Sequence, residues 1–115
     1  MTVTVNGRVF QAVLNDSAAA QAFADLLPAA FELTELNGNE KYYRFPDNRF
    51  PVTPESVGQI QTGDLCIYQD DCLVLFYKSF STTYSYTRLG QLTDPDGLEA
   101  ALGSGDVRVE MKLSN

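Results

Sequence analysis

Around the acidic pair Asp70-Asp71 the chain carries two short runs, Leu65-Cys66-Ile67-Tyr68 and Cys72-Leu73-Val74-Leu75-Phe76-Tyr77, with no charged residue in either. Successive side chains of a strand point to opposite faces, so a run that is apolar at every position has to be covered on both sides. A hairpin of this kind fits the wall of a barrel, with the core on one side and a covering helix on the other. A two-residue loop sets Leu65 opposite Phe76 and Ile67 opposite Val74 on one face. Cys66, Tyr68, Leu73, Leu75 and Tyr77 then share the other. The same register puts Cys66 against Leu75 and Cys72 against Gln69, a poor geometry for a disulfide, so both thiols read as reduced wall residues.

The rest of the chain supplies the other strands, mostly in pairs. Val3 and Val5 alternate with threonines before Asn6-Gly7, the residue pair that a type I′ turn favours, and Arg8 to Leu14 returns. That hairpin places Val3 opposite Phe10 and Val5 opposite Arg8, with Val9 and Val13 on the second face, so both faces are expected to be partly covered. Asn15-Asp16-Ser17 offers helix caps to the segment Ala18 to Leu27, whose Ala19, Phe23, Leu26 and Leu27 form one apolar stripe, and Pro28 ends it. Phe31 to Leu36 and Tyr42 to Phe45 read as strands about the turn Asn37-Gly38-Asn39. Residues 46–63 are punctuated by Pro46, Pro51, Pro54 and Gly58 and read as a long loop. Tyr84 to Leu92 is a further strand, with Tyr84, Tyr86 and Arg88 on one face and Ser85, Thr87 and Leu89 on the other. Gly90 inside it predicts a bulge or a close backbone approach. Asp94-Pro95 predicts a helix start and Gly103 its end, while Val107, Val109, Met111 and Leu113 alternate as a half-buried strand.

Strands that arrive as hairpins, without a helix between each pair, exclude a parallel α/β sheet. The expected fold is mainly β: a closed or nearly closed eight-stranded antiparallel barrel with two short capping helices. At 115 residues, with prolines and glycines spread evenly, the chain reads as one domain over residues 1–115.

Charge and composition exclude several functions. The formal net charge is -7, with no Lys/Arg cluster to offset it, which argues against nucleic acid as a partner. No stretch approaches the roughly 20 apolar residues of a membrane span, and the start of the chain lacks the basic and apolar regions of a signal peptide, so a cytoplasmic protein with no membrane partner is expected. There is no histidine and there are only two cysteines. A structural zinc site and Ser–His or Cys–His nucleophile pairs are therefore out of reach, and neither a cofactor nor a metal is expected. Asp70-Asp71 and Asp94/Asp96 read as turn and cap residues with too few ligands for calcium. Gly103-Ser104-Gly105 precedes a strand rather than the helix a phosphate site would need.

Four blocks carry a family resemblance: Leu36 to Tyr43, Gly63-Asp64-Leu65, Cys72 to Ser81 and Ala101 to Val107, joined by Tyr84-Ser85-Tyr86-Thr87-Arg88-Leu89-Gly90. The chain resembles a bacterial cyclophilin-like domain family along nearly its whole length. The resemblance implies an eight-stranded barrel with a helix at each end, and no settled activity. True cyclophilins rotate X–Pro bonds, whose uncatalysed barrier is roughly 20 kcal/mol, using an arginine beside the prolyl nitrogen and an aromatic pocket. Their Phe-His-Arg start and Gln-Gly-Gly-Asp run are both missing here, so no catalytic residue is carried over.

The most suggestive surface residues lie between Phe76 and Arg88. Tyr77, Lys78, Phe80, Tyr84, Tyr86 and Arg88 mix aromatic faces with cations, a combination suited to a peptide or small-molecule ligand. Arg44 joins them from a second mixed patch, Glu40 to Arg44, which otherwise reads as a solvated ribbon face. Three functions follow as expectations: a non-catalytic binding module, a divergent prolyl isomerase using Arg44 or Arg88, and an accessory subunit acting through its surface. The first leads. The oligomeric state is left open.

Overall fold

In the computed structural model, which describes residues 1–47 and 49–114, Asn6 and Gly7 both take positive φ, 48° and 82°. This is the turn expected between β1 (Thr2–Val5) and β2 (Arg8–Leu14), and the pairs Val3–Phe10 and Val5–Arg8 form as predicted. Asn37 and Gly38 repeat the device between β3 (Ala29–Leu36) and β4 (Glu40–Arg44).

The remaining strands are β5 (Glu55–Ser56), β6 (Gln59–Ile60), β7 (Asp64–Tyr68), β8 (Cys72–Phe76), β9 (Phe80–Ser81), β10 (Ser85–Leu92) and β11 (Val107–Lys112). Eight of them pair in the order β2-β1-β11-β3-β4-β8-β7-β10, and β10 returns to β2 through Gly90–Leu14 and Leu92–Ala12. Every pairing in the ring is antiparallel, so the sheet closes into a barrel and none of the eight keeps a free edge. The short β5 adds to β10, and β6 pairs with β9 as a separate ribbon.

Closure depends on Gly90. A β carbon at that position would lie 2.1 Å from the Val13 carbonyl oxygen and 2.9 Å from the Leu14 Cα. The register against β7 also shifts between Arg88 and Gly90. The glycine thus marks both the bulge and the close approach that its place in a strand predicted.

The helices cover the two ends. α1 (Ala18–Ala24) is shorter than the expected segment to Leu27; Ser17 Oγ accepts from the Ala20 amide as its cap, and the chain leaves through a cis Leu27–Pro28 bond. It buries Ala19, Ala20 and Phe23, and the Phe23 ring stacks on Phe31 at 6.0 Å. α2 (Leu98–Leu102) starts at Gly97 in left-handed conformation, not at Asp94. Asp94 instead accepts from the Asp96 amide in the preceding turn. α2 lies by the β1–β2 turn, where Asn6 Nδ2 donates to the Ala101 carbonyl at 2.7 Å.

Three further sequence expectations change. The β7–β8 hairpin turns through three residues, Gln69-Asp70-Asp71, and pairs Leu65 with Leu75, Ile67 with Leu73 and Tyr68 with Cys72. A slip of one residue exchanges the faces of one strand. Leu65, Ile67, Leu73, Leu75 and Tyr77 therefore belong to the interior cluster, while Cys66, Cys72, Val74 and Phe76 belong to a second cluster on the outer face. Contacts from outside the hairpin hold the longer loop. The Phe45 amide donates to the Asp71 carbonyl and the Phe50 amide to the Asp70 carbonyl, both at 2.8 Å.

Among the described residues no helix covers the outer face of this wall. The β6–β9 ribbon and Val57 before it do so in part, with Ile60 fully buried on Cys66, Val74, Phe76 and Tyr86. The outer side of β2 has less cover than expected, since Val9 and Val13 are 60% and 58% exposed. No helix among the described residues is long and apolar enough to cross a membrane.

Candidate functional site

On β4 the alternation of a strand sends Lys41 and Tyr43 toward the interior and Glu40, Tyr42 and Arg44 outward. β8 lies beside it, with Glu40 opposite Phe76, Tyr42 opposite Val74 and Arg44 opposite Cys72. β7 brings Tyr68 to the same outer surface, and β10 with its preceding loop brings Tyr86 and Tyr84. These side chains enclose an open cleft of about 310 Å³, with Leu36 and Asn37 of the β3–β4 turn at one margin.

The floor is aromatic and apolar. Tyr86 is nearly buried and meets Phe76 edge to face at 5.4 Å, with Phe80 beyond at 5.7 Å from Phe76. Tyr68 is tilted 50° to Tyr86 at 5.5 Å and stands at 75° to Tyr84 at 6.1 Å, so the three rings face in different directions. Tyr84 is 62% exposed and forms the outer wall.

Two charged groups border this floor. Arg44 Nη1 donates to Asp71 Oδ1 at 2.6 Å, and to Gln69 Oε1 at 3.4 Å, with nearly half of its side chain exposed. The hydrogen bond from Arg44 to Asp71 keeps the guanidinium charged and offsets its charge. Glu40 has no such partner among the described residues: its side chain makes no hydrogen bond and no ion pair. Burial, and then repulsion by Glu35, raises its carboxyl above the ordinary value. Burial and the adjacent Glu40 charge push the Tyr86 phenol up to about 12, so it remains a neutral hydroxyl. The thiols are inert for the same reason, Cys72 pushed up to about 11 and Cys66 to about 12 by burial. Both are free cysteines.

A family model described as the cyclophilin-like family matches residues 3–112. The chain belongs to the cyclophilin-like family. No curated protein and no solved structure matches it. In this cyclophilin-like barrel the cleft lies on the outside of the wall, and the barrel interior is filled by side chains.

The structure divides the residues singled out from the sequence. Arg44, Tyr84 and Tyr86 meet in the cleft, and Phe80 borders a shallower depression that shares Tyr84, Tyr86 and Glu40 with it. Tyr77 points the other way. Its hydroxyl donates to Glu35 Oε1 at 2.8 Å, beside the fully buried Lys41, whose ammonium lies 3.2 Å from the same oxygen and also donates to the Gly105 carbonyl. Lys78 pairs with Glu99 of α2 at 3.4 Å, away from the cleft. Arg88 is held against β5, β6 and β7 by Asp64 at 3.2 Å, the Gln59 carbonyl at 3.3 Å and Glu55 at 3.7 Å.

Tyr68 was not among the sequence candidates, and Glu40 and Tyr42 entered only as members of the second mixed patch, Glu40 to Arg44. The alternation Glu40-Tyr42-Arg44 was visible as a mixed ribbon face. What gives it meaning is the pairing of β4 with β8, and of β8 with β7, which sets that face beside Tyr68 and Tyr86.

Proposed function

We propose that the outer cleft binds a peptide or small ligand, and that this cyclophilin-like domain works as a binding module without covalent catalysis. The convergence of Arg44, Tyr68, Tyr84 and Tyr86 from three separate strand regions onto one cleft supports this reading. An apolar floor with a few polar groups at its rim is the usual make-up of a ligand site. The test is NMR titration of the full chain with short peptides. Shifts centred on Tyr42, Tyr84 and Tyr86, weakened in Tyr84→Ala, support the cleft; shifts clustered elsewhere remove it.

A divergent prolyl isomerase is the second reading, favoured by one observation. Arg44 extends its guanidinium beside an aromatic floor, the pair of features that prolyl rotation requires. Arg88, engaged by three acceptor groups, has no comparable access to the floor. A protease-coupled proline-peptide assay decides between the readings. Acceleration that disappears in Arg44→Ala supports isomerisation, and no acceleration at high protein concentration eliminates it.

A further inference from the structure

Glu40 is the feature of the cleft that a neutral ligand leaves unexplained. A carboxylate drawn partly out of water ordinarily gains a hydrogen bond or a cation, and Glu40 has neither among the described residues. Arg44 stands two positions along the same strand but turns to Asp71, 2.6 Å away, so it neutralises that residue instead. Around Glu40 stand Tyr68, Tyr84 and Tyr86, with their rings tilted to one another; Tyr84 is largely exposed and Tyr68 half-buried, while Tyr86 lies beneath them, nearly buried. Faces of tyrosine attract a desolvated cation, and an ionised carboxylate beside them supplies the counter-charge. The formal net charge of -7 draws cations toward the surface as a whole.

We propose that the cleft recognises an organic cation, an ammonium or guanidinium group, which sits among Tyr68, Tyr84 and Tyr86 with its charge met by Glu40. The inference rests on the cleft being the binding site and adds the chemical class of its ligand. An anion would have to approach Glu40 and compete with Asp71 for Arg44. A neutral proline or aliphatic group would fill the floor yet leave Glu40 without a partner. A basic side chain satisfies both requirements, with its aliphatic stem on Val74 and Leu36 and its head at the carboxylate. Arg44 then faces the carbonyl oxygens of whatever carries that side chain.

The test is amide chemical-shift titration of the full chain with matched probes: the N-acetyl methylamides of lysine, arginine, norleucine and proline, and tetramethylammonium. The lysine and arginine probes are expected to shift Glu40, Tyr42, Tyr84 and Tyr86 with affinity at least about tenfold above norleucine, a ratio typical of one charge-assisted contact. Glu40→Gln levels the basic and neutral probes, while Tyr84→Ala weakens both. Tetramethylammonium equal to the lysine probe assigns the site to small free organic cations, and a stronger lysine probe assigns it to peptide side chains; either supports the cation. Equal affinity for lysine and norleucine, or a basic-probe preference that survives in Glu40→Gln, overturns the cation and leaves the cleft standing. If no probe, charged or neutral, shifts the cleft amides at millimolar concentration, the cleft itself is overturned. Among the described residues the side chains of Glu40 and Tyr84 make no hydrogen bond that holds the barrel together, and an unchanged amide spectrum outside the cleft checks that both variants fold.

Discussion

The ammonium of Lys41 lies 3.2 Å from Glu35 Oε1, and the lysine side chain has no exposure to solvent while the glutamate keeps 27%. A lysine inside a barrel is tolerated only with its charge met, and here Glu35, the Gly105 carbonyl and the face of Tyr77 at 5.5 Å meet it. The pair bridges β3 and β4, and the bonds from Lys41 to the Gly105 carbonyl and from the Glu35 amide to Asp106 Oδ1 tie that hairpin to the segment entering β11.

Breaking this pair from one side differs from removing it. Glu35→Gln leaves the buried ammonium without its counter-charge and is expected to cost about 3 kcal/mol in urea unfolding at neutral pH. Lys41→Met, which replaces the charge by an apolar chain of similar length, is expected to fall within about 1 kcal/mol of the parent. Burial alone would raise the Glu35 carboxyl, but hydrogen bonds from Tyr77, the Gly38 amide and Lys41 outweigh it and hold it below the ordinary value. The stability it contributes is therefore complete above the unfolded carboxyl value near about 4.3, and is lost as the pH falls through the lower folded value. Glu35→Gln should abolish that acid-side loss.

Glu40 has the opposite sign. Its carboxyl is raised by burial and by Glu35. Between the unfolded and the folded value the native state holds more protons, so stability declines as the pH rises through that window, and the full cost persists above it. Glu40→Gln is expected to raise Tm by a few degrees at pH 7 and by less at pH 4. A Tm that falls at pH 7 would contradict the unpartnered carboxylate.

Gly90→Ala is expected to be among the most destabilising single-methyl changes in the chain. The added carbon would have to displace the Val13 carbonyl oxygen from 2.1 Å. Neither neighbour is a flexible side-chain end, so the β2–β10 seam has to part, at a cost of about 3 kcal/mol or more. Gly103→Ala is a control only for space, since nothing lies near its β carbon but its φ is 74°. Denaturant unfolding compares the two.

The two arginines proposed from the sequence as isomerase residues should separate structural from functional effects. Arg88→Ala strips the counter-charge from Asp64, which is 2% exposed and also accepts from the Gln61 amide, and is expected to cost about 2–3 kcal/mol while leaving cleft titrations unchanged. Arg44→Ala removes a half-exposed ion pair worth at most about 1 kcal/mol, and its effect should appear in binding instead. Stability curves and peptide titrations on both variants check the crossover.

What could be read from the chain by itself was set by local chemistry. Asn6-Gly7 specifies its turn because few other residue pairs accept two positive φ values in succession, and the β1–β2 register follows. Gly90 signals a close approach, the even run Leu65 to Tyr77 signals a wall covered on both faces, and their sum is an antiparallel barrel. The tertiary structure decided three further matters. The amides of Phe45 and Phe50 hold a three-residue loop at Gln69-Asp70-Asp71 and so change which side chains of β8 pair and share a face with those of β7. Asp64, far from it in sequence, takes Arg88 out of the candidate site. The pairing of β4, β8 and β7 makes a cleft from residues that, in sequence, look like a solvated ribbon. Turns are short-range and are encoded within a few residues; which face meets which depends on contacts between segments tens of residues apart, and only closure of the barrel brings those together.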